Sequence, residues 1–181
     1  LHSFPTRGFS ERGAVGAFFR RAPPSAESKG CYFGEYPLSF AVCANQPEMV
    51  QYLVLEVDLP ADLYAKDSNG NTAFHMSIVF DNYNMYALLM HLWEGLYGRA
   101  YQEQEKRRQE LLTKGCAGAL PLRDIVHPEF LQNRDALTPL SLAAFYGHKR
   151  VFDLMLERNK RLQWTYGPVT CDIYPLEQLD G

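Results

Sequence analysis

Thr138-Pro-Leu-Ser-Leu-Ala-Ala-Phe-Tyr-Gly-His148 is the stretch on which the fold is read. It opens a longer segment, Thr138 to Leu156, that aligns without a gap with Tyr36 to Val54 and with Thr72 to Met90. The three starting residues lie 36 and 66 positions apart, one repeat unit and then two. Self-similarity with a period of about 20–50 residues marks an architecture built by stacking one supersecondary unit on the next.

Each residue type in the pattern has a mechanical role. The Thr138 hydroxyl can cap a helix whose first position is Pro139, where the missing N–H would have had no partner. Ala143 and Ala144 are small enough to let neighbouring helices approach. Gly34, Gly70 and Ala136 stand two residues before the anchors, where the preceding turn reverses the chain and a positive φ is often required. Ala136 breaks the glycine rule, so a positive φ there implies strain. Outer helices follow, with apolar stripes of Met49, Val50, Leu53 and Val54 in the first and Val151, Phe152, Met155 and Leu156 in the third. In the middle unit Met85, Leu88, Leu89, Leu92, Trp93 and Leu96 continue at helical spacing, and Arg99 to Leu112 reads as a polar helical extension. Lys106, Arg107 and Arg108 are diluted by Glu103, Glu105 and Glu110, as on a solvated helix face.

The Thr-Pro-Leu-x-Leu-Ala-Ala-x-x-Gly-His string resembles the ankyrin signature and its period of about 33 residues. The expected fold is mostly α: an ankyrin-repeat solenoid of about three helix pairs, with a long N-terminal finger loop and a C-terminal β-hairpin linker. Residues 1–35 are read as the end of a preceding repeat and the finger loop, with Phe18, Phe19, Tyr32 and Phe33 around Pro23 and Pro24. The repeats are assigned to 36–66, 67–132 with the elongated insertion, and 133–162. Residues 163–181 are read as a β-linker, because Gln163 to Cys171 alternates and turns at Gly167-Pro168.

Gly16-Ala-Phe-Phe19, Tyr32-Phe-Gly-Glu-Tyr-Pro-Leu-Ser-Phe-Ala41, Asp67-Ser-Asn-Gly-Asn-Thr72, Leu137 to Ala143 and Trp164-Thr-Tyr-Gly-Pro168, with Tyr174 and Leu176, occur in this order. Together they resemble the ankyrin domain of vanilloid-type TRP cation channels over nearly the whole chain. The resemblance implies the last three of six repeats and the linker before a transmembrane region that lies outside this chain. It implies a calcium-permeable channel at the cytosolic face of the plasma membrane, the Gln163-Trp-Thr-Tyr-Gly-Pro168 string being most similar to the calcium-selective branch and to invertebrate members. It also implies contacts with neighbouring subunits of a homo- or heterotetramer, with Phe18, Phe19, Trp164 and Tyr166 near them; read from the residues alone, the aromatic ends, with Tyr32, Phe33 and Tyr174 as further candidate interaction residues, fit loop cover for the solenoid and a contact surface equally. The calmodulin and nucleotide contacts of that family fall mostly in earlier repeats, and none is carried over to residues here. Arg99 to Leu112 departs from the family pattern.

The composition of 181 residues, 18 Lys+Arg against 21 Asp+Glu, 46% hydrophobic and 22% charged, is that of a globular chain with no global drive toward nucleic acid. The best apolar run, Met85 to Tyr97, is interrupted by His91 and Glu94, so no membrane span is expected. The chain opens at Leu1 without a secretory pattern, which reads as a soluble piece of something longer. Cys31, Cys43, Cys116 and Cys171 are scattered, as reduced thiols in a cytosolic setting, and none has the paired spacing of a structural zinc site.

No enzyme, cofactor or metal is expected. Cys43 and His75 could be imagined as a thiolate and its base, but His75 sits where ankyrin units use a histidine to bond neighbouring turns, and Cys43 reads as a small core residue. Asp58, Asp62, Asp67 and Asp135 fall in turns, where Asp bonds its own backbone. His2, His91, His127 and His148 read as isolated surface or packed imidazoles. There is no phosphate cradle and no metallohydrolase motif. The rival reading is a soluble ankyrin-repeat adaptor that binds a protein partner. It would be expected to close on a polar capping helix rather than on the aromatic tail from Trp164 to Leu176. The first unit is expected to expose an apolar stacking edge beside Pro37 to Val54, leaving the isolated chain marginally stable or self-associating.

Overall fold

The structure, a computed structural model, describes residues 35–113 and 125–174. Phe18, Phe19, Tyr32 and Phe33, the finger loop and Gly34 lie outside the described residues. The elements are α1 (Pro37–Cys43), α2 (Pro47–Gln51, continued by a π-helical turn Tyr52–Glu56), α3 (Ala73–Val79) and α4 (Tyr83–Thr113). They continue with a 3-10 turn (Pro128–Phe130), α5 (Pro139–Tyr146), α6 (Lys149–Asn159), β1 (Arg161–Tyr166) and β2 (Val169–Ile173). This is a mostly helical stack of three helix pairs closed by a two-stranded antiparallel sheet.

Three short helices, α1, α3 and α5, pack side by side, and each is backed by its partner α2, α4 or α6. The interior between them holds Leu38, Val42, Phe74, Met76, Ile78, Leu140 and Ala143 from the inner row and Val50, Val54, Met85, Leu89, Trp93, Val151 and Met155 from the outer row. Of the predicted stripes, Val50, Val54, Val151 and Met155 are buried, while Met49 is 48% exposed and stands outside the core. In the first pair Phe40, Tyr52, Leu55 and Leu59 are also exposed among the described residues.

Helix starts follow the sequence pattern. Thr138 Oγ1 accepts the Ser141 N–H at 3.2 Å and Ser141 Oγ accepts the Thr138 N–H at 2.7 Å. Together they close a capping box over Pro139, which occupies the first turn. Thr72 starts α3 in the same way, with His75 in place of the serine.

The turn from inner to outer helix is built identically in every pair. Asn45, Asp81 and Gly147 have φ of 52°, 52° and 71°, and they occupy aligned positions. The N–H groups of the residues that follow, Gln46, Asn82 and His148, reach back to the carbonyls of Ala41, Ser77 and Ala143 at 2.8–2.9 Å. Asn and Asp tolerate the left-handed conformation better than other non-glycine residues because their short polar side chains bond locally. α4 runs 31 residues without a break, so the Met85 to Leu96 stripe and the polar extension from Arg99 are one helix.

Candidate functional site

Along one edge of the stack the turns that precede α3 and α5 share one hydrogen-bond pattern. Asp67 Oδ1 accepts the N–H of Asn69 and Asn71 at 2.8 and 2.9 Å. Asn133 Oδ1 accepts those of Asp135 and Leu137 at 3.0 and 2.9 Å. The expectation that Asp135 supplies the backbone-bonding carboxylate is therefore corrected: Asn133, the residue aligned with Asp67, takes that role, and Asp135 contributes only its N–H. Asp62 behaves as expected, accepting the Tyr64 N–H at 2.8 Å.

The two turns are bonded to each other. The Arg134 N–H donates to the Asn69 carbonyl at 3.0 Å, Asn133 Nδ2 to Asn71 Oδ1 at 3.1 Å and Lys66 Nζ to the Gln132 carbonyl at 2.7 Å. His75 threads the same junction. Its Nδ1 accepts the Thr72 N–H at 3.3 Å, which leaves the proton on Nε2, 3.2 Å from the Leu137 carbonyl oxygen. Burial pushes this imidazole down to about 4. The imagined Cys43–His75 couple is not assembled, since both ring nitrogens are engaged and burial pushes the Cys43 thiol up to about 12.

At the far end of the stack the hairpin carries the candidate contact residues. Gly167, with φ of 57°, and Pro168 make a two-residue turn that pairs Tyr166 with Val169, as in a type II′ hairpin. Trp164 pairs with Cys171, and a bulge at Gln163 separates this pair from Leu162 opposite Asp172. Trp164, Tyr166 and Val169 therefore share one face, and they are 51%, 82% and 53% exposed.

Tyr174, just past β2, is placed differently. Its hydroxyl donates to Glu157 Oε1 at 3.0 Å. Lys160 Nζ adds contacts to Glu157 Oε2 at 2.8 Å and Asp172 Oδ2 at 3.7 Å. Tyr174 and Lys160 thus fasten the hairpin to α6, while Trp164 and Tyr166 project from it. Of the seven predicted interaction residues, two share a surface, one is an anchor, and four lie outside the described residues.

A cluster that sequence reading left dispersed lies between α4 and residues 125–131. The His127 ring centre is 4.7 Å from that of Trp93 and 5.4 Å from that of Tyr101. Its members are far apart in sequence and in no periodic relation, so the only signal was the excess of aromatics on α4. Among the described residues no group of three or more His, Cys, Asp or Glu is placed to hold a metal ion. No described helix is long and apolar enough to cross a membrane.

A family model described as ankyrin repeats (many copies) matches residues 28–77. The chain is 33% identical, over 93% of its length, to transient receptor potential cation channel subfamily V member 5 of Oryctolagus cuniculus, covering 19% of that protein. Against member 6 of Homo sapiens the identity is 33% over 93% of the chain and 18% of the relative. Against member 4 of Homo sapiens it is 32% over 92% of the chain and 18% of the relative. The chain thus spans about a fifth of the length of the curated relatives it matches. The repeated capping boxes, the bonded turns, the closing hairpin and this identity over nearly the whole chain identify it as an ankyrin-repeat region similar to that of the vanilloid-type TRP channels.

Proposed function

We propose that this chain is the cytosolic interaction and assembly module of a vanilloid-type, calcium-permeable cation channel, contributing contacts between subunits and passing displacements of the repeat stack toward the gate. The observation that carries the reading is the aromatic face of the hairpin. Trp164 and Tyr166 are half to four-fifths exposed on a strand pair fastened to α6 by Tyr174, Glu157 and Lys160. Large exposed aromatics on a rigid support suit a protein partner, because ordering them on contact costs little side-chain entropy. The stack behind them, bonded turn to turn, is stiff enough to move as a body. The proposed partners are neighbouring subunits, on which the finger residues Phe18, Phe19, Tyr32 and Phe33 would act together with the hairpin. Residues 163–181 serve as the linker toward the membrane region, and no catalytic step is assigned.

The test is the double substitution of Trp164 and Tyr166 by Ala in the full-length protein. Assembly, read by crosslinking and native mass, is expected to fall at least about tenfold, the loss of roughly 1.4 kcal/mol or more of contact energy. The melting temperature of the 181-residue chain is expected to shift by less than about 3 °C, since exposed side chains contribute little to folding. Assembly unchanged by the substitution would sink the proposal and leave the adaptor reading.

A further inference from the structure

His127 precedes the 3-10 turn Pro128–Phe130 and its Nδ1 accepts the Glu129 N–H at 3.4 Å, so the ring is neutral with its proton on Nε2. It lies edge-on to Trp93 and also meets Tyr101 and Phe130. Three hydrogen bonds reach the same segment from the stack, one from Tyr64 and two from Gln104. Trp93 Nε1 donates to the Tyr64 hydroxyl at 2.6 Å, and that hydroxyl donates to the Val126 carbonyl at 3.0 Å. The Gln104 amide grips the Ile125 backbone at both ends, accepting its N–H at 2.8 Å and donating to its carbonyl at 3.1 Å. Leu131 is buried beyond the turn.

The ionisable groups facing His127 come from every element around it. Glu94 on α4 and Arg158 on α6 pair at 2.7 Å. Glu129 of the turn itself brings Oε2 to 3.8 Å from His127 Nδ1, and Tyr64 and Tyr101 complete the ring. Burial is the largest influence on His127 and lowers it. Arg158 adds to that and Glu94 opposes it. Burial raises the Glu129 carboxyl, while Arg158 lowers it. A proton arriving at Nδ1 turns an acceptor into a donor facing the Glu129 N–H, in a place where water is scarce.

We propose that His127 is a proton-operated latch: neutral, it holds residues 125–131 against α4, and on protonation it releases them. The segment leads directly into the Asn133–Leu137 turn, so release loosens the junction between the second and third helix pairs.

The 181-residue chain has two tryptophans, and W164F leaves Trp93 as the only reporter. In that background Trp93 emission is expected to fall by roughly half from pH 7.5 to 5, with a midpoint below about 6.5, because an imidazolium beside an indole quenches it. Corrected for the base-catalysed intrinsic rate, amide exchange at residues 125–131 is expected to rise about tenfold relative to that of α5 over the same titration. H127Q should abolish both changes. The proposal is overturned if H127Q titrates like its parent, if Trp93 shows no transition, or if the 125–131 amides do not loosen across it. Should H127Q fail to fold, the ring carbon resonances of His127 in the parent chain decide. A switch from the Nε2–H tautomer to imidazolium at the emission midpoint supports the latch, and any other midpoint overturns it. Folded His75 stays largely neutral over this range, and the stability it removes as the unfolded chain takes its proton reaches α5 as well, so reading residues 125–131 against α5 in parent and H127Q separates the two histidines.

Discussion

His75 Nε2 stands 3.2 Å from the carbonyl oxygen of Leu137, 62 residues further along the chain, and so one imidazole joins the second repeat to the turn that opens the third. The ring is neutral, and its folded value of about 4 lies below the ordinary 6.5. Above pH 6.5 neither folded nor unfolded chain holds this proton; as pH falls the unfolded chain takes it first, so stability is lost downward through the window from 6.5 to about 4. At pH 5 the loss from this group is about 2 kcal/mol. Urea melts at pH 7.5 and 5 should show a smaller pH difference for His75→Gln than for the parent. His75→Gln should also be less stable at pH 7.5 by roughly 1–3 kcal/mol.

Gly70 and Ala136 hold the same place in successive turns, with φ of 77° and 59°, yet substitutions at them are expected to act in opposite directions. A Cβ on Gly70 would lie 2.7 Å from the Arg134 backbone nitrogen of the next turn. Gly70→Ala should therefore cost about 2–4 kcal/mol, from the clash and the left-handed backbone together. Ala136→Gly relieves the same strain and should raise stability by about 0.5–1 kcal/mol. Paired denaturation curves check both signs.

The Tyr86 hydroxyl is buried with no hydrogen-bond partner among the described residues, and burial raises its pKa well above the ordinary value. Tyr86→Phe removes an unpaid desolvation while keeping the ring that meets Phe74 edge-on. It should be neutral or stabilising by up to about 1–2 kcal/mol. A drop in melting temperature would reveal a partner for that hydroxyl.

Cys43 should be a poor nucleophile, since burial holds its thiol near 12. With Cys31, Cys116 and Cys171 replaced by Ser, maleimide labelling of Cys43 at pH 7.5 should run at least about tenfold slower in the folded chain than in urea. Labelling at equal rates would show that the thiol is open to solvent.

The repeat was legible because its residues act locally. Thr138 caps its own helix, and the left-handed φ at Gly70 and Ala136 belongs to the turn that contains them. His75 was legible for the same reason, as one position of a short motif. The left-handed residues Asn45 and Asp81 carried an available signal, an Asx aligned with Gly147, that was overlooked. The roles of Asn133 and Tyr174 were hidden differently. Asn133 stands 66 residues after Asp67, the spacing of the repeat, so its role is read from the alignment and not from the turn itself, and nothing in the sequence tells that a tyrosine past a strand will reach a glutamate on a preceding helix. The His127 cluster joins residues from Tyr64 to Phe130, and contacts over such separations leave no mark in periodicity.

The long α4 has a mechanical consequence. At 31 residues it is about 46 Å long, against about 10–12 Å for each inner helix. Its N-terminal half is clamped in the core by Met85, Leu89 and Trp93, and Gln104 braces it about 14 Å short of its end. A force applied at Thr113 is therefore delivered as torque about that brace, and it passes next to Trp93, which meets His127, and to Glu94, whose partner Arg158 stands on the third pair.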